Sequence, residues 1–234
     1  MALRAVFLDL DDTLCDYRGS VDAAATAIFD QAVRRYPHLS RERLRRHFDH
    51  ILEDYLAATL GQNAPFLSRF ERIRQTLLLE QVEDDAFAQE LADHYHRLRL
   101  DTLTLFPDAR ATLEALKGRW PLVLVTNGSS DLQRQAIARL GIGGYFAHIL
   151  VSQEVGADKP NPAIFQRALD AAGCRPHEAL HVGDAVRSDV AGARAARVPV
   201  AWLNRRSQSL HPDDPQPDFT LASLTDLLAL VERR

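Results

Sequence analysis

The chain has 234 residues, 46% apolar and 26% charged, a mixture typical of a globular protein with room for one large domain or one and a half. Its 28 Lys and Arg residues against 32 Asp and Glu give a net charge of −4, without the basic stripe that nucleic-acid binding requires. The sequence shows no signal peptide, no long apolar run and only two distant cysteines, so we expect a cytoplasmic protein with no membrane anchor, disulfide framework or zinc site.

Short apolar runs and helical patterns alternate along most of the chain. Five runs are typical of buried strands: Ala5–Leu8, Leu122–Val125, His148–Val151, Ala179–Val182 and Val198–Leu203. Helical patterns lie between them, at Pro107–Lys117, Ser130–Leu140 and Pro162–Ala172. This alternation predicts an α/β fold, a doubly wound parallel sheet with helices on both faces.

Residues 17–103 differ from the rest of the chain because they contain no strand-like run. Their apolar residues recur at helical spacing, for example Phe66, Phe70, Ile73 and Leu77. The predicted breaks between helices are Tyr36-Pro37, residues 61–65 and the acidic stretch near Glu83. We therefore predict about four helices in an inserted all-α domain, and a core formed by residues 1–16 and 104–234.

Polar side chains collect at the ends of the predicted strands. They are Asp9, Asp11 and Asp12 with Thr13 after the first strand, Thr126-Asn127-Gly128 after the second, Lys159-Pro160 ahead of a helix, and Gly183-Asp184 with Asp189 after the fourth. Each cluster alone is typical of an ordinary turn or helix entry. Their common placement favours a functional site, because ligands of open parallel sheets bind outside the carboxyl ends of the strands.

These residue types suit a divalent cation and a phosphate together. Mg²⁺ prefers oxygen ligands and usually takes one or two carboxylates, which Asp9 and Asp184 would provide. A carboxylate can also accept a phosphoryl group, while a lysine and the metal neutralise the phosphoryl oxygens. Thr126 and the backbone N–H groups around Asn127-Gly128 are the candidates for binding the remaining oxygens.

The same motifs, in this order along the whole chain, resemble those of the haloacid dehalogenase superfamily. The matches are DxDxT at Asp9–Thr13, a threonine at a strand end at Thr126, Lys-Pro at Lys159-Pro160, and GDxxxxD at Gly183–Asp189. The helical insert resembles the all-α cap of the phosphatase-rich subfamily. The resemblance thus implies a Rossmann-like core of this superfamily with an inserted cap.

The resemblance also implies a role for each matched residue. Asp9 would be the nucleophile and a metal ligand, and Asp11 the general acid and base, with its backbone carbonyl also reaching Mg²⁺. Thr126 and Lys159 would bind phosphoryl oxygens, and Lys159 would also hold Asp9. Asp184 would bind Mg²⁺, and Asp189 would bind the metal or orient its waters.

The predicted reaction is hydrolysis of a small phosphate monoester through an aspartyl-phosphate. Dehalogenases of the superfamily lack an acid at the position of Asp11, which favours a phosphatase here. Sequence around Thr126 and Ser152–Asn161 resembles nucleotidases and N-acylneuraminate-9-phosphatase-like enzymes, so the expected partner is a small phosphorylated metabolite, of the nucleotide or sugar phosphate class. The alternatives are a phosphomutase, a dehalogenase, and a non-enzymatic phospho-accepting domain.

Overall fold

The computed structural model describes residues 2–59 and 67–233. Within them, six parallel strands form one sheet: β1 (Ala5–Leu8), β2 (Leu122–Thr126), β3 (His148–Val151), β4 (Ala179–Gly183), β5 (Val200–Leu203) and β6 (Phe219–Leu221). Their order across the sheet is β3-β2-β1-β4-β5-β6. The predicted α/β fold with a doubly wound parallel sheet is therefore confirmed.

Ten α-helices are described in the same residues. They are α1 (Tyr17–Arg35), α2 (Arg41–Thr59), α3 (Arg69–Leu78), α4 (Asp85–Thr102), α5 (Ala109–Leu116), α6 (Ser130–Leu140), α7 (Ser152–Val155), α8 (Pro162–Ala172), α9 (Ala191–Ala195) and α10 (Leu224–Val231). Helices α6 and α8 have the predicted bounds, and each ends at a glycine with positive φ, Gly141 and Gly173. No helix of the described chain has both the length and the apolar character needed to cross a bilayer.

The central strands are almost entirely apolar because both faces of the sheet are covered; the polar exceptions are Thr126 of β2 and His181 of β4. Every residue of β1, β2, β4 and β5 is buried, which is the usual state of strands in a parallel sheet. Val6 of β1 pairs with Leu122 of β2 on one side and with Leu180 of β4 on the other. The sheet therefore forms a rigid support for the loops that follow its strands.

The strand order places a crevice at the end of β1. From β1 the chain proceeds to β2 and β3 on one side, then returns to β4 on the other side of β1. The connection after β1 leads towards β2 and the connection after β4 leads towards β5, so the two diverge at the ends of β1 and β4. Such switch points are the usual binding sites of doubly wound sheets. Asp9 follows β1 and Asp184 follows β4, so both residues lie at this switch point.

The chain divides into two compact units. One is Met1–Asp16 with Thr104–Arg234 and contains the sheet; the other is Tyr17–Leu103 and contains α1 to α4. The helical unit has its own apolar core, in which Phe48 packs edge-on against Phe29 and Tyr95.

The breaks predicted at Tyr36-Pro37 and near Glu83 fall between helices of this unit. The break predicted at 61–65, and Phe66 of the helical pattern, lie outside the described residues.

The sheet unit differs from the sequence predictions at several places. β5 begins at Val200 and not at Val198, because Arg197 has φ +59° and Pro199 has no N–H to contribute to a ladder. Neither β6 nor α10 was predicted. β6 has only three residues, of which only Leu221 is buried, so its pattern carries little information without its neighbour β5.

Candidate active site

The segment after β1 makes a tight turn that sets the positions of the first two carboxylates. The N–H groups of Leu14 and Cys15 both donate to Leu10 O, at 2.9 and 3.2 Å. Asp12 adopts φ +57°, and its N–H donates to Cys15 O at 2.9 Å. The backbone of Asp9 is also tied to the neighbouring strand, because its N–H donates to Val182 O at 2.9 Å.

Lys159 joins this turn to the end of β4. Its Nζ donates to Asp9 Oδ1 at 2.6 Å, Asp189 Oδ1 at 2.7 Å and Val125 O at 3.0 Å, so all three ammonium hydrogens have acceptors. The side chain is 2% exposed. Burial by itself lowers the pKa of Lys159, but the Asp189 and Asp9 carboxylates outweigh that effect and the pKa is raised. Lys159 is therefore a permanent buried cation.

Three carboxylates surround this cation. Asp9, Asp184 and Asp189 each offer an oxygen, and these oxygens lie within 4.8 Å of one another. Burial and then the charges of Asp9 and Asp189 raise the pKa of Asp184 to about 8. Burial likewise raises the pKa of Asp9 against the opposing charge of Lys159. The protein alone therefore does not fully compensate the negative charge at this site.

Asp189 differs from the other two carboxylates. Its Oδ1 accepts from Lys159 Nζ and, at 2.9 Å, from His181 Nε2, and its Oδ2 accepts from Ala185 N at 3.1 Å. Burial favours the neutral acid, but Lys159 and His181 outweigh it, and the pKa of Asp189 is lowered. A Cβ on Gly183 would lie 2.6 Å from Asp189 Cβ, so a glycine is needed there for the carboxylate to approach the strand.

This donor set fits a divalent cation. When ionised, the three carboxylates and the one ammonium leave two uncompensated negative charges at a buried place, and a divalent ion would balance both. All candidate ligands are carboxylate oxygens, which Mg²⁺ prefers over the nitrogen and sulfur ligands typical of zinc sites. Asp9 and Asp184 would hold the ion most directly, since both oxygens of Asp189 already accept from N–H donors.

The polar groups at the end of β2 and just after it form hydrogen bonds mainly to other groups of the protein. The Asn127 side chain bonds both backbone groups of Lys159: its Nδ2 donates to Lys159 O at 2.9 Å, and Lys159 N donates to its Oδ1 at 2.8 Å. Gly128 N donates to Ser152 Oγ at 3.0 Å. Thr126 is fully buried, and its Oγ1 accepts from Gln133 Nε2 at 2.7 Å. Phosphate binding by Thr126 and Asn127 remains a prediction, whereas the side chain of Asn127 clearly positions Lys159.

Asp11 lies two residues beyond Asp9 and has different surroundings. Its Oδ2 accepts from Gln133 Nε2 at 2.9 Å, and Cys15 Sγ lies 3.9 Å from its Oδ1. Asp11 is partly exposed, whereas Asp9 is buried. The two carboxylates of the DxD motif thus bond directly to different side chains, Asp9 to Lys159 and Asp11 to Gln133.

Three buried polar residues of the site were given no role by sequence reasoning: Thr13, Gln133 and His181. Thr13 Oγ1 accepts from Asp184 N at 3.1 Å and so connects the turn after β1 to the end of β4. Gln133 shares the buried stripe of α6 with Ala136, Ile137 and Leu140. A polar residue on an apolar stripe was the available signal for Gln133, and a histidine inside an apolar strand was the signal for His181.

Comparison with known proteins places the chain in a family. The sequence profile of the haloacid dehalogenase-like hydrolases matches residues 3–197. A phosphoserine phosphatase of Thermus thermophilus is 34% identical over 96% of this chain and 98% of its own length. An N-acylneuraminate-9-phosphatase of Rattus norvegicus is 28% identical over 98% and 94%.

Among solved structures, a 2-haloacid dehalogenase of Pseudomonas syringae has a TM-score of 0.71 and 30% identity, with 99% of each chain covered. The superfamily and the hydrolase class predicted from the sequence are confirmed by these matches. The chain belongs to the haloacid dehalogenase-like hydrolase family.

Proposed function

We propose that this hydrolase is a Mg²⁺-dependent phosphatase that cleaves a small phosphate monoester through an aspartyl-phosphate on Asp9. The observation that carries the proposal is the different surroundings of two neighbouring carboxylates: Asp9 bonds to buried Lys159, and Asp11 bonds to Gln133. The relatives described above are named as phosphatases, and the solved structure is named as a dehalogenase. The choice between these two reactions therefore depends on the residues of the site.

Asp11 favours phosphate ester hydrolysis over dehalogenation. A halide leaves as a stable anion and needs no proton, whereas the alkoxide of a phosphate ester needs one from a general acid. A second carboxylate two residues from the nucleophile can supply that proton. A dehalogenase would have no use for Asp11.

The first half-reaction transfers the phosphoryl group to the enzyme. One oxygen of Asp9 forms a bond to phosphorus as the bond from phosphorus to the ester oxygen breaks, and Asp11 gives its proton to the departing alkoxide. Lys159 holds Asp9 Oδ1 at 2.6 Å, which fixes the direction of attack. The second half-reaction reverses the roles: Asp11 takes a proton from water, the water oxygen bonds to phosphorus, and Asp9 is released.

The metal contributes charge to this scheme. Bound by Asp9 and Asp184, with the Asp11 carbonyl as a further ligand, Mg²⁺ would offset the negative charge of the phosphoryl oxygens. Asp189 Oδ1 accepts from Lys159 Nζ at 2.7 Å and so helps to fix the position of the ammonium group. The hydroxyl of Thr126 accepts from Gln133 at 2.7 Å and donates to Asn127 O at 3.4 Å, a long contact that its hydrogen would exchange for a phosphoryl oxygen.

The proposed substrate is a small phosphorylated metabolite. Its class is supported by relatives named for phosphoserine and for N-acylneuraminate 9-phosphate, both of which are small monoesters. All four motifs lie in the sheet unit, so we assign the choice among substrates to the helical unit Tyr17–Leu103 and regard it as a cap domain.

The test measures phosphate release from p-nitrophenyl phosphate and from a panel of alkyl phosphates, with Mg²⁺ and with EDTA. We expect turnover that EDTA abolishes and Mg²⁺ restores better than Zn²⁺ does. Halide release from 2-chloropropionate is measured in parallel and should be absent. Full activity in metal-free buffer, or halide release without phosphate release, would contradict the proposal.

A further inference from the structure

The side chain of Gln133 is a buried amide that bonds to both Asp11 and Thr126. It lies on α6, is 4% exposed, and follows the second motif by several residues. Its Nε2 is within hydrogen-bond distance of Asp11 Oδ2 at 2.9 Å, Thr126 Oγ1 at 2.7 Å and Asn127 O at 2.8 Å. Since an amide nitrogen carries two hydrogens, these three acceptors share two donors.

The surrounding backbone is shaped to admit this side chain. Gly128 has φ +139°, and a Cβ at that position would lie 3.1 Å from Gln133 Cγ and 3.2 Å from its Cδ. The absence of a side chain at Gly128 therefore lets the amide sit against the turn after β2. Two further contacts hold α6 in place. Ser130 N donates to Gln153 Oε1 at 2.7 Å, and Arg134 forms an ion pair with Glu154 at 2.7 Å.

We propose that Gln133 is a positioning residue that acts through Asp11: its amide holds the acid/base carboxylate in one orientation and joins it to the hydroxyl of Thr126. The inference rests on the proposed function, because it concerns the same site. A partly exposed carboxylate on a turn can rotate about its χ angles, and a buried donor of this kind limits that rotation. The same amide donates to Thr126 Oγ1, so the hydroxyl hydrogen of Thr126 points away from it, towards Asn127 O, which lies 3.4 Å from Oγ1.

The predicted effect of removing the amide is slower proton transfer in an otherwise intact site. Gln133→Met has nearly the same length and volume but no donor. Because misplacement of a reacting group by about 1 Å can cost on the order of 100-fold in rate, we expect kcat on β-glycerol phosphate to fall about 10- to 100-fold. The matched control is Gln135→Met on the same helix, whose exposed amide donates to Asp131 Oδ1 at 2.7 Å; it should leave kcat within about twofold, as surface changes usually do.

A double-mutant cycle with Asp11→Asn separates positioning from general support of the fold. If Gln133 acts through Asp11, the further loss caused by Gln133→Met in the Asp11→Asn background should be less than about threefold, because residues that act as a unit are not additive. An equal fractional loss in both backgrounds, or a wild-type kcat in Gln133→Met, would overturn the inference. Should the Met variant fail to fold by near-UV circular dichroism, Gln133→Leu, which is uncharged and also lacks a donor, enters the same cycle.

The cycle also distinguishes this inference from the proposed function. Asp11→Asn with a wild-type rate on β-glycerol phosphate would remove the acid/base role of Asp11 and this inference with it. A slow Asp11→Asn variant combined with additive loss from Gln133→Met would overturn only the role of Gln133.

Discussion

Asp9 and Asp11 are two positions apart, yet they have different surroundings, which suit them to different proposed roles. Asp9 is 5% exposed and bonded to Lys159, which suits a fixed nucleophile. Asp11 is partly exposed and bonded to a neutral amide, which suits a group that must gain and lose a proton. Attack by an ionised carboxylate needs no base, whereas the leaving alkoxide and the later water both need proton transfer.

We therefore expect different defects from the two amide variants. Asp9→Asn should form no phosphoenzyme. Asp11→Asn should keep the acceptor and slow turnover of alkyl phosphates roughly 10²- to 10⁴-fold, the usual magnitude of general acid–base catalysis. With p-nitrophenyl phosphate, whose leaving group needs little protonation, Asp11→Asn should lose less in the first step and accumulate phosphoenzyme.

Rapid-quench labelling of both variants measures this directly. A stable phosphoenzyme in Asp9→Asn would show that another residue is the acceptor. Wild-type turnover of alkyl phosphates by Asp11→Asn would assign the proton transfers to a different group.

Gly183 is the residue on which the approach of Asp189 depends. A Cβ there would overlap the Asp189 side chain, and the strand cannot move aside because Gly183 pairs with Trp202 of β5. Gly183→Ala should therefore displace Asp189 from Lys159 and lower the free energy of unfolding by about 1–3 kcal/mol, as overpacking usually does.

Activity should fall as well, since Lys159 would lose one of its three acceptors. The control is Gly144→Ala, where a Cβ meets nothing within 4 Å. Urea denaturation and kcat of both variants test this prediction, and equal stability of the two would refute it.

At the scale of elements, Asp108 connects three segments of the sheet unit. Its carboxylate accepts from Arg205 Nη1 and Nη2, each at 2.9 Å, and from Leu224 N at 2.8 Å, at the beginning of α10. Arg205 Nη2 also donates to Thr13 O at 3.1 Å, so this pair supports the turn that carries Asp11. Burial favours the neutral acid, but Arg205 and the Leu224 N–H outweigh it and lower the pKa of Asp108.

The lowered pKa predicts a pH-dependent contribution to stability. Because the folded pKa lies below the ordinary value of 3.8, the contribution is complete above that pH and is lost as pH falls through the folded pKa. Asp108→Ala should lower the free energy of unfolding by about 1–3 kcal/mol at pH 7, since it leaves Arg205 and Leu224 N without their acceptor. The difference from wild type should shrink below about pH 4.

Urea denaturation at pH 7, 4 and 3 measures this difference. Asp213→Ala is the control, because the Asp213 side chain is 92% exposed, and it should change little at any pH. A gap between Asp108→Ala and wild type that stays constant down to pH 3 would contradict an electrostatic origin.

The elements that sequence analysis located best are those defined by local signals. Helix α8 begins at Pro162, is capped by Asn161 Oδ1, which accepts from Ala163 N at 3.0 Å, and ends at left-handed Gly173. The proline and the glycine are both signals that the sequence itself contains. Strand β1 was located because it is a short uninterrupted apolar run, and β3 because three apolar residues follow His148. The edge strand β6 was missed, since its place is set by the ladder with β5 and not by its own composition.

At the scale of the whole molecule, the ends of the sheet unit that flank the helical insert lie side by side. Asp16 N donates to Thr104 O at 2.9 Å, Phe106 N donates to Leu14 O at 3.0 Å, and Cys15 forms an antiparallel bridge with Leu105. A short linker can therefore join Asp16 to Thr104 without distorting the turn that carries Asp9.

We predict that a chain in which such a linker replaces Tyr17–Leu103 folds and still binds Mg²⁺, because the carboxylate cluster belongs entirely to the sheet unit. It should lose discrimination among phosphate monoesters if the insert selects the substrate. Calorimetric titration with Mg²⁺ and the kcat/KM values for a substrate panel measure both properties. The isolated segment 17–103, which has its own apolar core, is the complementary control and should be helical without binding Mg²⁺.

Unchanged kcat/KM ratios in the folded, shortened protein would show that the insert does not select the substrate. Failure of that protein to bind Mg²⁺ would show that the cluster depends on the helical unit.

The sequence by itself determined the fold class, the superfamily and the residues that meet at the switch point. Apolar periodicity and the order of the four motifs are local properties of the chain, and in a parallel sheet they imply a common edge. Only the tertiary structure decided how these residues are connected. Gln133 bonds to Asp11, 122 positions earlier, and Lys159 bonds to Asp9, 150 positions earlier. Such contacts depend on strand order and helix rotation, which no local pattern encodes. They join the Asn127 side chain to Lys159 and the amide of Gln133 to the turn after β1.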